Sequence, residues 1–167
     1  ELSERRHGLR RRATDSTPPP IVAGMQAPYS PRRPGRSQFV TLRGMKHHLN
    51  VWGDASLCGP ARPPLLLMHG WMDVGASFQF TVDALAQDRF VVAPDWRGFG
   101  LSDSTASDCY WFADYLGDLD ALIDHLAPDR PVDLCGHSMG GNVVMSYAGV
   151  RPRRVRRLVN LEGFGMP

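Results

Sequence analysis

The sequence predicts an α/β protein built on a mostly parallel sheet with helices on both faces. Three observations carry that expectation. Short runs such as "LLLM", "VVAP" and, with Asp133 its one polar residue, "VDLC" are apolar, as strands buried on both faces are. Longer segments with apolar residues every three or four positions alternate with them, and strand–helix–strand alternation implies right-handed crossovers between parallel strands. The residues with chemical potential, "HGWM", "DWRGFGLSD", "GHSMG" and "EGFG", each follow an apolar run. In open α/β sheets that is where ligands bind.

Taken in order, residues 1–37 hold eight Arg against Glu1, Glu4 and Asp15, with six prolines and no apolar period. Such a segment cannot bury enough surface to offset ordering entropy, so a disordered Arg/Pro-rich tail is expected. "RRHGLRRR" reads as a solvated run, the alternative being an anion-attracting patch. The rest of the chain, 38–167, is slightly acidic, so the basic excess belongs to the tail and no nucleic-acid partner is expected. "QFVTLR" and "HHLNVW" alternate on either side of Gly44 and predict a hairpin. "PPLLLMHG" is a buried strand ending at His69-Gly70, "SFQFTVDALAQ" a helix, and "RFVVAPD" a second buried strand.

In "WFADYLGDLDALIDHLA", Phe112, Tyr115, Leu116, Leu119, Leu122, Ile123 and Leu126 fall on one helical face. Asp114, Asp118, Asp120 and Asp124 are then expected on the wet side. "VDLC" is a third parallel strand, "MGGNVVMSYAGV" a third helix, and "VRRLVNL" a fourth strand ending at Glu162. "RPRRVRR" reads as a solvated connection.

Cys58, Cys109 and Cys135 are odd in number and lack CxxC spacing, as expected of reduced thiols in a cytoplasmic protein. No apolar stretch approaches the ~20 residues of a bilayer span. The six histidines show no HExxH-like pairing, and neither a metal nor a cofactor is expected.

Gly136-His137-Ser138-Met139-Gly140 fits G-x-S-x-G between a buried strand and a helix. A turn sharp enough to lift a serine clear of a sheet strains its backbone and leaves no room for side chains two residues to either side, which Gly136 and Gly140 satisfy. The following helix N-terminus offers free N–H groups to developing negative charge.

"LLLMHGW", "VVAPDWRGFGLSD" and "GHSMGG", in that order, resemble the α/β-hydrolase fold superfamily over about residues 38–165. The resemblance implies a serine hydrolase of the esterase or lipase type acting on a small molecule. Ser138 would be the nucleophile, and the backbone N–H groups of Trp71 and Met139 the oxyanion hole. It also implies loop-supporting roles for His69 and Gly70, a structural Asp95–Arg97 hydrogen-bond network, and a His137 side chain directed away from the serine. A serine at the elbow argues against the carboxylate-nucleophile chemistries of the superfamily, the dehalogenases and epoxide hydrolases. Trp71, Met72, Phe99 and Phe164 near strand ends favour esters of small apolar acyl groups.

The superfamily orders its triad as nucleophile, acid, histidine. None of the 29 residues after Ser138 is histidine. The expectation is therefore an N-terminal portion of the fold, with the histidine beyond Pro167 and this chain alone inactive; the alternative is a non-catalytic ligand- or partner-binding protein. Glu162 is the one acid after the elbow, readable either as the triad acid or as a loop glutamate. Oligomeric state is not encoded in any of these patterns.

Overall fold

The computed structural model describes residues 28–106 and 110–164. The chain divides after Ser30 into two units, and everything below concerns the second, from Pro31 onward. The expected tail therefore lies largely outside the described residues, as does Cys109.

Six strands form one sheet: β1 (Arg36–Leu42), β2 (Met45–Trp52), β3 (Leu65–Met68), β4 (Val91–Pro94), β5 (Val132–His137) and β6 (Val155–Leu161). Their order is β1-β2-β4-β3-β5-β6. The β1–β2 hairpin turns at Arg43-Gly44, both at positive φ. β2 runs antiparallel to β4, while β4, β3, β5 and β6 are mutually parallel. β1 starts two residues before the expected boundary. Just upstream, Arg33 is held to the body of the fold: its N–H donates to Asp83 Oδ1 at 2.8 Å, and its guanidinium to the carbonyls of Val82 and Asp83.

Strand alternation splits the core in two. Leu66, Met68, Val92 and Leu134 face α2 (Phe112–Leu126) and α3 (Met139–Val150), packing on Leu119, Leu122, Ile123, Val143, Val144 and Tyr147. Leu65, Leu67, Val91, Ala93 and Cys135 point the other way, toward Phe78 and Val82. Both faces thus carry helical cover, as the apolar runs require. The cover on the second face is shorter than "SFQFTVDALAQ" suggests, a 3₁₀ turn at Gly75–Phe78 followed by α1 (Gln79–Asp83). The Arg33 guanidinium caps the carbonyls of Val82 and Asp83 at its end.

Asp118 corrects a second expectation. It lies on α2 but is buried, 3% exposed, because Arg97 reaches it from the loop after β4. Asp120 and Asp124 stay on the wet side and pair with Arg151 and Arg154, and Arg156 pairs with Asp133, so much of "RPRRVRR" is engaged. On β6, Leu158 packs toward α3, while Val159 and Leu161 on the other face are 50% and 42% exposed. No helix among the described residues is long and apolar enough to cross a membrane.

The order of strands positions the site. From β3 the chain leaves toward α1 on one face, and from the adjacent β5 it leaves toward α3 on the other. Neighbouring strand ends whose chains depart to opposite faces are where open α/β sheets bind ligands.

Candidate active site

Ser138 joins β5 to α3 with φ 51° and ψ −116°, a left-handed φ that a residue with a side chain adopts only under constraint. The constraint is steric and local. A Cβ on Gly136 would overlap the Gly140 carbonyl, and one on Gly140 would overlap the Met68 carbonyl at the end of β3. With both side chains absent, β5 and α3 meet at a closeness that forces the turn. Its ends are tied: Ser138 N–H donates to the Leu161 carbonyl at 2.8 Å, and Asn142 N–H to the Ser138 carbonyl at 3.0 Å. Because α3 begins at Met139, the Met139 N–H has no intrahelical acceptor. It stands at the positive end of a 12-residue helix, directly after the serine.

The β3 loop lies against this turn. A Cβ on Gly70 would stand 3.2 Å from Ser138 Cβ and 3.1 Å from His137 Nδ1. Glycine therefore lets His69-Gly70-Trp71 pass beside the serine.

His69 holds that loop in place. It is fully buried, its Nδ1 bonds the Gly70 carbonyl at 2.7 Å, and its Nε2 accepts the Trp96 N–H at 3.0 Å. In return Trp96 Nε1 donates to the His69 carbonyl at 2.9 Å. Both ring nitrogens are engaged, and burial lowers the imidazole pKa, so His69 is a neutral brace between the β3 and β4 ends with no free nitrogen for proton transfer.

Asp95 and Arg97 each build part of the frame, but not with one another. Asp95 accepts the Gly75 N–H at 2.8 Å, the Leu101 N–H at 3.0 Å and His48 Nδ1 at 2.8 Å, fastening the loops after β3 and β4 to β2. Arg97 makes two 2.6 Å bonds to Asp118 and lies 3.3 Å from Asp114. Those bonds to Asp118, acting against burial, raise its already high pKa further. The expected Asp95–Arg97 network is replaced by two separate ones because the two side chains leave the loop toward different elements, β2 and α2.

Above the loops the rim is apolar. Trp71 is 60% exposed and stacks edge-on against Phe99 at 5.2 Å, which in turn touches the His69 ring at 5.6 Å. Met72, at positive φ, and Phe164 are almost fully exposed.

Glu162 follows β6 at φ 59°, immediately after the residue whose carbonyl binds the Ser138 N–H. It is exposed, and among the described residues its carboxylate has no hydrogen-bond or ion-pair partner. The turn around it is set by Asn160, whose side-chain amide accepts the Gly163 N–H at 2.8 Å and donates to the Gly163 carbonyl at 2.7 Å. Asn160, His48 and Asp118 are structural contributors that the sequence patterns leave unmarked. Each is recruited by partners distant in the chain. Among the described residues no side chain is hydrogen-bonded to Ser138 Oγ.

Residues 63–167 match the family profile described as the alpha/beta hydrolase fold. A serine hydrolase-like protein of Danio rerio is 34% identical over 118 residues, 68% of this chain and 36% of that protein. A 2-hydroxymuconate semialdehyde hydrolase of a Pseudomonas species is 33% identical over 149 residues, 85% of this chain and 48% of that protein. Among solved structures, an epoxide hydrolase of Vigna radiata is similar with a TM-score of 0.70 at 29% identity, covering 80% of this chain and 41% of its own. The chain thus spans less than half the length of each of these relatives. The match runs through β3, β5 and the turns that follow them, and on that ground the chain belongs to the alpha/beta hydrolase fold family.

Proposed function

We propose that the protein is a serine hydrolase that cleaves esters of small apolar acyl groups through an acyl-enzyme on Ser138. The observation that carries this reading is the left-handed backbone of Ser138 at a strand-to-helix turn with the β3 loop alongside. A carboxylate at this turn would suit the epoxide chemistry that the Vigna radiata neighbour is named for, whereas a serine suits acyl transfer.

In this mechanism Ser138 Oγ loses its proton to a general base and bonds the ester carbonyl carbon. The carbonyl oxygen becomes an oxyanion facing the Met139 and Trp71 N–H groups. Donors of this kind are worth about 3–4 kcal/mol each in other hydrolases. The C–O bond to the alcohol then breaks, the alcohol takes the proton from the base, and water repeats the sequence to release the acid. Glu162 is the acid that orients the base and stabilises its cationic form. The base is a histidine sought in the part of the relatives' length that this chain does not span, since no histidine follows Ser138 and His69 is fully engaged. The apolar rim of Trp71, Met72, Phe99 and Phe164 supports the acyl preference.

The test is covalent labelling of the complete protein with a fluorophosphonate, mapped by peptide. The expected result is a label on Ser138 and loss of ester turnover on the order of 10⁶-fold in Ser138→Ala. An unlabelled Ser138, or turnover that survives the substitution, would make the fold a binding protein or move the chemistry elsewhere.

A further inference from the structure

Away from the elbow, another serine, Ser37, stands with its hydroxyl against an imidazole. Ser37 lies on the edge strand β1 and His48 on β2, and the register sets Ser37 opposite Asn50 and Phe39 opposite His48. Ser37 and His48 are therefore diagonal neighbours, close enough for a side-chain bond. Ser37 Oγ is 2.6 Å from His48 Nε2, and His48 Nδ1 is 2.8 Å from Asp95 Oδ2.

The Asp95 carboxylate is itself immobilised by the N–H groups of Gly75 and Leu101. An ionised carboxylate can only accept, so Nδ1 carries a proton, and in the neutral imidazole Nε2 is then the nitrogen that accepts from the hydroxyl. This is the hydroxyl–imidazole–carboxylate order that turns a weak nucleophile into a reactive one. Exposure is distributed to suit it: Ser37 is exposed, while His48 and Asp95 are 5% and 2% exposed, with the Phe39 ring 5.1 Å from the imidazole.

We propose that Ser37 is an acyl-accepting nucleophile, independent of Ser138, that reacts with activated acyl donors such as aryl esters and thioesters. His48 Nε2 takes the Oγ proton as Oγ bonds the carbonyl carbon. The bond from that carbon to the aryl oxygen or thioester sulfur breaks, and the leaving group takes the proton from His48. Ser37 sits in an extended edge strand, where successive N–H groups point to opposite sides, not on a turn that converges two of them on one point. The arrangement therefore supports a single acylation without the oxyanion stabilisation that turnover needs.

The experiment treats the protein with p-nitrophenyl acetate and follows acetylation site by site after tryptic digestion. Cleavage after Arg36 and Arg43 isolates residues 37–43, and fragmentation separates Ser37 from Thr41. The internal controls are Ser56 and Ser77, exposed hydroxyls bonded to Asp54 and Asp73 with no imidazole. Ser37 is expected to acetylate at least ~10²-fold faster than either, the lower range for a positioned general base. The rate should persist in Ser138→Ala, which separates it from the proposed elbow chemistry. His48→Asn keeps a donor toward Asp95 but removes Nε2, and should bring Ser37 down to the control rate. Acetylation of Ser37 no faster than of Ser56 and Ser77, or unchanged in a folded His48→Asn protein, would overturn the assignment. The comparison with the controls needs no variant and stands even where that substitution fails to fold.

Discussion

At the scale of single residues, a side chain's role here follows from which of its polar atoms are already engaged. Both ring nitrogens of His69 are bonded, so it braces; Glu162 has a carboxylate without a partner among the described residues and stands one residue beyond the carbonyl that holds the Ser138 N–H. If Glu162 orients the base, Glu162→Gln preserves shape and removes only charge and tautomer control. The expected outcome is a fall in kcat of about 10⁴-fold in the complete protein, with KM and the unfolding midpoint little changed. Steady-state kinetics beside a urea titration would check it, and near-normal turnover would take the acid role from Glu162.

Among elements, the loop after β4 and helix α2 depend on one buried contact. Asp118 receives two bonds from Arg97 and one from Arg43 at 3.1 Å, with His47 Nε2 3.9 Å away. Asp118→Asn leaves the Arg97 guanidinium buried against an amide that cannot accept its fork. Breaking a buried pair from one side typically costs about 3–5 kcal/mol, and the remaining Asp114 contact puts the expected loss near the lower end. A lower urea midpoint at constant m would report it.

This contact also marks where the sequence stops being readable. β3, β5, the apolar face of α2 and the elbow are all local patterns: a short, mostly apolar run, a period of three to four, a serine between glycines. Asp118 obeys the same local pattern and so looks like part of the wet face. Its burial is decided by an arginine 21 residues earlier. The His48–Asp95 pair spans 47 residues and exists only because β2 lies antiparallel to β4, a pairing that neither strand's composition encodes.

For the molecule as a whole, buried titratable groups set an acid response in two stages. His47 and His69 are 2% and 0% exposed, and burial holds both imidazoles below their ordinary pKa of 6.5. Unfolded imidazoles then bind protons that the folded ones do not, so stability declines as pH falls below about 6.5 and levels off below the folded values. Burial pushes the Asp133 carboxyl up, but hydrogen bonds from Arg156 and Arg89 outweigh it and hold the group low. Its contribution is lost as pH drops through and below about 4. Urea midpoints from pH 7.5 to about 2 should show both steps, and a flat profile between 7.5 and 5.5 would contradict the first. The turn at Ser138 acts on the same total in the opposite direction. A left-handed φ on a residue with a side chain withholds about 1–3 kcal/mol, and glycine would release most of it for about 0.5–1 kcal/mol of added freedom in the unfolded chain. Ser138→Gly should therefore raise the melting temperature by a few degrees. A laboratory selection that rewarded heat resistance alone would drift toward glycine at this position, and only a simultaneous demand for turnover would keep the hydroxyl there.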